Sequence, residues 1–448
     1  MIRLILVLAV FTLTACTPKT ADDTAKLGDA DTDTDTDAVE DDVEDDVEDD
    51  VEDDVEDTGT NPAGGWSPGE PQLVHDGGES YTGSAVWIVD TDGDGFDDLV
   101  TGAHVYDASD PNYSGYEVSL HRSRGDGTFD VPVSTESTQG YNFQLPTLMD
   151  ITGDGQMDVV APSATGVSVF VGTGSGFVQD IFVGTPAKRV AWSAGDVDLD
   201  ADGTREAVVL AAQYDSTSSE ATGMAMVFGP DGTGAYGFTH IITTDISWGA
   251  PPIAVDFEGD GTEAGLFADQ MTGTGLDYTL AIYESGGDEN LMLGGAYQTR
   301  YSNDGTQFGF GDDTNGDGAQ ELISSGVDGL QIYDPAIGHA TILRENDFSS
   351  WLDGMVGFDL DGNGQKDALE MLTYYESDAD SVTFGNRVAW TLREGEFGAS
   401  QQQDFLDYTS STGPNTLAAG DVNGDGCGDM AFLDGWTDVQ LSLGDCGD

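Results

Sequence analysis

Seven times along its 448 residues the chain writes one short pattern, D-x-[DN]-x-[DN]-G-x-x-[DE] or a near copy, and each copy runs straight into an apolar stretch. The first copy places Asp90, Asp92, Asp94, Gly95 and Asp98 ahead of Leu99-Val-Thr-Gly-Ala103. The later copies begin at Asp150, Asp198, Asp256, Asp313, Asp359 and Asp421, at intervals of 60, 48, 58, 57, 46 and 62 residues. A period near that length marks a repeat architecture, in which each unit buries its apolar face only against its neighbours. From residue 66 onward the remaining sequence is short apolar runs punctuated by Gly and Asp, with no sustained helical period. Such texture predicts many short strands and an all-β fold.

The pattern has a chemical logic. Calcium is a hard cation that takes about six to eight oxygen ligands. Oxygens on positions 1, 3 and 5 of a tight loop converge on one point, the carbonyl of position 7 adds another, and a carboxylate at position 9 closes the shell. Glycine at position 6 supplies the left-handed turn that keeps them converging. An EF-hand loop begins alike but ends at position 12 on a helix. Position 12 here is Thr101, Val209 or Ser324, within an apolar run, and the acid stands at position 9.

Five loops carry the full oxygen set: Asp90, Asp92, Asp94 and Asp98; Asp198, Asp200, Asp202 and Glu206; Asp313, Asn315, Asp317 and Glu321; Asp359, Asp361, Asn363 and Asp367; and Asp421, Asn423, Asp425 and Asp429. The loop of Asp150, Thr152, Asp154 and Asp158 has a neutral hydroxyl at position 3, which lowers its charge and its expected affinity. The loop of Asp256, Glu258 and Asp260 ends on Ala264, loses its closing ligand and is expected empty or weakly held. The expected cofactor is therefore Ca2+, at about five to six sites.

These loops, with Phe308-Gly309 before one of them and strands such as Leu99-Val-Thr-Gly-Ala103 and Val159-Val-Ala-Pro162 after, resemble the FG-GAP and VCBS repeats of integrin-α-like propellers. The resemblance spans about residues 70–448. It implies a propeller of four-stranded blades, the calcium loop joining the first two strands of each, on the face away from the ligand. Seven copies make a seven-bladed β-propeller the expected fold, over residues 66–448. After the seventh loop only two strands are visible, Met430-Ala-Phe-Leu433 and Val439-Gln-Leu-Ser-Leu443, whereas a spare one, Pro71-Gln-Leu-Val-His75, precedes the first. The N-terminal strand is expected to complete the last blade and remove an open edge.

The chain's beginning reads differently. Residues 1–16, MIRLILVLAVFTLTAC, hold Arg3, an apolar run too short to span a bilayer, and a small-residue end, which together form an export signal. Leu13-Thr-Ala-Cys16 resembles the lipobox of bacterial lipoproteins, implying that Cys16 is acylated and anchors the mature chain to a membrane. Thr17 stands where an aspartate would resemble an inner-membrane retention signal, so the outer membrane or cell surface is expected, with the periplasmic side open. Residues 17–65 are dominated by Asp, Glu and a VEDD repeat, without aromatic residues, and read as a disordered acidic tether. The other two cysteines, Cys427 and Cys446, are expected to form a disulfide, as an even pair in an exported chain usually does.

A net charge of −72, from 85 acidic and 13 basic residues, argues against nucleic acid or an anionic membrane surface as partner. The five histidines, His75, His104, His121, His240 and His339, lack metal spacing, and no nucleophile-elbow, HExxH or phosphate-cradle motif occurs in the folded part. Catalytic residues are thus expected to be none. The expected function is a protein- or glycan-binding adhesion module at the cell envelope, working as a monomer. The alternatives are a polysaccharide-lyase-like enzyme, with a site among loops such as 107–116 or 215–222, and a purely structural envelope component. Trp87, Trp192 and Trp351, just ahead of calcium loops, are expected to pack between blades.

Overall fold

The computed structural model describes residues 66–76, 81–106, 114–137, 144–186, 189–199, 201, 203–214, 221–230, 233–244, 251–269, 277–285, 291–300, 308–326, 329–334, 339–345, 350–377, 382–394, 398–408, 416–434 and 438–447. The export signal with Cys16, the acidic segment 17–65 and the ligand candidates Asp200 and Asp202 lie outside the described residues, as do most of 107–116 and 215–222.

Every named element is a strand, so the fold is all-β. Among the described residues, six four-stranded antiparallel sheets are each made of four strands consecutive in sequence, the first from Tyr81–Val89, Asp98–Tyr106, Ser114–His121 and Val133–Ser137. A further four-stranded sheet is composite. It takes Leu417–Gly420, Asp429–Asp434 and Asp438–Ser442 from the chain's end and adds Gln72–Asp76 from before the first sheet. Gln72 stands opposite Leu441 and Asp76 opposite Asp438. Beside it Ser67–Pro68 pairs with Gly444–Asp445, and a disulfide joins Cys427 to Cys446. The arrangement is a β-propeller.

The strands form where the apolar runs lie, and the burial pattern explains why several runs do not alternate. Asp158–Pro162 is buried at every residue. A strand covered on both faces has no solvent side to make polar. The cover comes from the neighbouring sheets. Met149, Val160 and Val169 of the second sheet share one core with Ala194, Val209, Met226 and Phe228 of the third. Val86 and Leu99 of the first share another with Ala418, Ala431, Leu433 and Leu441 of the composite sheet. Trp66 seals the core between the sixth and composite sheets: it is 2% exposed, stands edge-on to Trp390 and donates its indole N–H to Gly428 O at 2.7 Å. Trp87, Trp192 and Trp351 all lie in first strands of their sheets.

First strands come close together around the middle. A side chain at Gly195 would run into the carbonyl of Pro252, and one at Gly420 into Ile88 and Asp97. Glycine at these two places lets adjacent sheets approach, and the seven motif loops all hang from the same end of the first strands.

Candidate functional site

Each motif loop joins the first and second strands of its sheet. The position-1 aspartate shapes it. Asp90 accepts Gly93 N–H on one oxygen at 2.7 Å and Gly95 N–H on the other at 3.0 Å. Asp150 does the same for Gly153 and Gly155, at 2.8 and 2.7 Å, and Asp313 for Gly316 and Gly318, at 2.7 and 2.9 Å. Asp359 and Asp421 hold Gly364 and Gly426 in this way at 2.7 and 2.9 Å. Asp198 accepts from Gly203 at 3.2 Å. Gly95 sits at a φ of 91°, which L side chains rarely adopt. The position-5 side chain braces the loop from within, Asp94 accepting from Phe96 N–H at 3.0 Å and Asp317 from Ala319 N–H at 2.9 Å.

The loops therefore hold their side-chain oxygens close by backbone hydrogen bonding. Carboxylate oxygens of Asp90, Asp92 and Asp94 lie within 4.8 Å of one another, as do those of Asp359, Asp361 and Asp367. Asp92 also pairs with Arg122 at 2.5 Å. The loop at Asp256 has the same cradle, with Gly259 and Gly261 donating at 2.8 and 2.9 Å, although Ala264 stands at position 9. Its shape thus owes nothing to the closing acid.

Position 9 turns inward. Asp98 is 1% exposed; it accepts from the hydroxyl and amide of Thr91, the second loop residue, and from Ser123 N–H at 2.8 Å beyond the third strand. Asp367 takes Leu360 N–H and Arg393 N–H, both at 2.8 Å, and Asp429 takes Val422 N–H and Gly444 N–H, also at 2.8 Å. Asp158 repeats the scheme with Ile151 and Gly172, and Glu321 reaches Thr314 and Asn315. Burial drives these carboxyls upward, Asp158 and Asp429 to about 6 and Asp367 to about 7. A hard divalent cation fits this donor set: several carboxylates crowd together, offset mainly by backbone amides and, at Asp92, by Arg122, and the side chains facing the loop offer oxygens. Asp90, Asp92, Asp94 and their counterparts would hold it, with position 9 as the inner wall.

Position 8, which the motif leaves open, does something the sequence pattern does not announce. In three loops it clasps the preceding loop through a reciprocal pair of bonds. Glu263 N–H donates to Asp198 O at 2.8 Å while Asp198 N–H donates to the Glu263 carboxylate at 2.9 Å. Gln320 and Asp256 exchange the same pair at 2.7 and 3.0 Å. Asp97 of the first loop and Asp421 of the last do so at 3.1 and 2.7 Å, across 324 residues of chain.

Inside this ring of loops lies a cavity of about 580 Å³, lined from six sheets. Trp87, Asp196, Arg205, Glu263, Phe310 and Lys366 are among its walls. Arg205 is the hub: its guanidinium bonds Asp196 and donates to both oxygens of Glu263, at 3.2 and 2.7 Å. Burial raises the Asp196 carboxyl to about 6 despite that neighbour. Lys366 donates to Gly311 O at 2.9 Å. The heterogeneity of position 8 (Asp97, Met157, Arg205, Glu263, Gln320, Lys366, Gly428) was the available sequence signal for this ring.

The described histidines lie in strands, not in the loops. His75, His104 and His121 sit in strands, and His121 is 1% exposed with its ring edge-on to His75 at 5.2 Å. His240 and His339 also lie in strands.

Residues 90–161 match the family model of the FG-GAP-like repeat. No curated protein matches the chain. Among solved structures, a lectin of Agrocybe aegerita described for its specific recognition of non-reducing terminal N-acetylglucosamine aligns with a TM-score of 0.45 at 14% identity, over 72% of this chain and 80% of that one. The matched segment begins on the position-1 aspartate of the first loop and ends in the second strand of the second sheet, so it takes in two loop-and-strand units in succession. The chain carries FG-GAP-like repeat sequence within a β-propeller.

Proposed function

We propose that this chain is an exported, lipid-anchored, calcium-binding propeller that acts as a protein- or glycan-binding module at the cell envelope and catalyses no reaction. In this reading the composite sheet is the seventh blade. Calcium in the loops stiffens the ring, and the acidic segment is a tether that holds the ring away from the membrane. The observation that carries the reading is the recurrence of one preshaped oxygen-rich loop at the same end of successive sheets. Each such loop ties its own two strands together, and in three loops position 8 ties neighbours, so an ion that tightens those loops tightens the ring. A rigid scaffold of this kind suits a partner held by surface complementarity.

Calcium titration of the chain from residue 66 onward, followed by calorimetry, tests the metal part. Five to six ions per chain are expected, and no uptake at millimolar calcium refutes it. Recovery of a surface protein or glycan on the immobilised chain, lost on removal of calcium, tests the binding part. Release of the Cys16→Ala variant from membrane fractions tests the anchor.

A further inference from the structure

We infer that the cavity at the loop end of the ring is a binding site for a neutral saccharide unit, a single sugar or the end of a glycan chain. The inference rests on the binding-module reading but not on which outer face a larger partner uses.

Size and construction come first. The cavity, about 580 Å³, falls within the ordinary range for small-ligand sites, about 300–1,000 Å³. Its walls are strand residues and the braced ends of loops. Each polar group in it is therefore positioned before any ligand arrives.

Charge narrows the ligand. The chain as a whole carries 85 acidic and 13 basic residues, yet the charged groups facing this cavity, Asp196, Glu263, Arg205 and Lys366, are two of each sign. Arg205 is already neutralised between Asp196 and Glu263. An anionic ligand would have to displace that arrangement and approach against the field of the whole chain. An apolar one would strip water from four charged groups without replacing its hydrogen bonds. A neutral hydroxylated ligand does neither.

The pattern of donors and acceptors suits hydroxyls. A carboxylate bound on one side by Arg205 keeps lone pairs for an O–H, and guanidinium and ammonium groups keep N–H for its oxygen. Lys366 has three donors, of which Gly311 O takes one at 2.9 Å, and no carboxylate pairs with it among the described residues. Adjacent hydroxyls on a sugar ring, each donor and acceptor, match such a mixed edge. Trp87 and Phe310, both partly exposed, supply the flat apolar surfaces that the C–H face of a pyranose needs.

The test uses calcium-loaded protein and a panel of neutral methyl pyranosides and disaccharides, with binding read by titration calorimetry. Two variants address the cavity. Thr147→Phe places a ring into it from a partly buried wall position, and Lys366→Ala removes an exposed donor. At least one sugar is expected to bind. Its affinity is expected to fall about tenfold in Lys366→Ala and beyond detection in Thr147→Phe, while both variants melt within a few degrees of the parent. Arg124→Ala, at an exposed ion pair with Asp130 remote from these walls, is expected to bind as the parent does. Undiminished binding in both cavity variants overturns the site and leaves the binding module standing. Binding of organic anions in place of sugars overturns the ligand class. A panel that fails entirely, while a surface partner is still captured, overturns the inference and spares the function.

Discussion

The clasp between Asp97 and Asp421 is the contact where the first loop meets the last, and removing it should loosen that seam selectively. Asp97→Ala deletes the acceptor that holds Asp421 N–H at 2.7 Å, while leaving the return bond from its own amide to Asp421 O at 3.1 Å. A hydrogen bond to a charged acceptor contributes about 1.5–3 kcal/mol, and the lower end applies because Asp97 is only half-buried. About 1.4 kcal/mol is a tenfold change in an opening equilibrium. Amide hydrogen exchange by mass spectrometry should therefore show peptides covering Asp421 exchanging about tenfold faster in Asp97→Ala. Peptides covering the buried residues Val208 and Val209, in the third sheet, should be unchanged. Asp97→Asn keeps a carbonyl acceptor and takes a like charge away from Asp90 and Asp421, so its exchange should stay near that of the parent. Equal protection at Asp421 in the alanine variant would refute the clasp, and acceleration of the same size in both variants would show that charge, not the hydrogen bond, holds the seam.

Other outcomes follow from the same contacts. Chelation with excess EGTA should lower the melting temperature, since an ion at a hundred times its Kd stabilises by about 2.7 kcal/mol per site; an unchanged melt refutes the calcium reading. Ala264→Asp restores the missing closing acid to a loop whose cradle already matches the others, and should raise the calcium stoichiometry by one in titration. Trp66→Ala should cost about 3–5 kcal/mol in denaturant unfolding, because the side chain is buried against Trp390 and its N–H is bonded to Gly428 O; a loss under 1 kcal/mol would contradict its place in the core. Burial holds the His121 imidazole down to about 3, whereas the unfolded chain takes up that proton near 6.5. Below pH 6.5 the unfolded state gains the proton first, so stability falls as pH falls, by about 1.4 kcal/mol from this residue at pH 5.5. Stability measured at pH 7.5 and 5.5 should differ less in His121→Gln than in the parent, and an equal difference would mean the ring is not buried uncharged.

Much of this protein was legible in residue order, because its information is local. A nine-residue loop with oxygens at fixed positions and a glycine that permits a left-handed turn is specified by its own atoms, and Asp90 shapes its loop through bonds to residues three and five further on. Repetition of that unit announced a repeat fold, and the strand count around it announced that Gln72–Asp76 would join the strands at the other end of the chain. The backbone partners of position 9 were not legible. Asp98 meets Ser123 and Asp429 meets Gly444 only because the third strand of each sheet folds back beside the loop. Nor could the sequence show that position 8, a different residue in every copy, clasps the neighbouring loop at Asp97, Glu263 and Gln320 and lines a central cavity at Arg205, Glu263, Gln320 and Lys366. Arg205, Asp196 and Glu263 are separated by up to 67 residues and become one network only when adjacent sheets turn their first strands inward. The sequence by itself determined the units and their oxygen-rich loops, whose interactions span a few residues. The tertiary structure decided how the units close on one another and what they enclose, since those contacts exist only between sheets already formed.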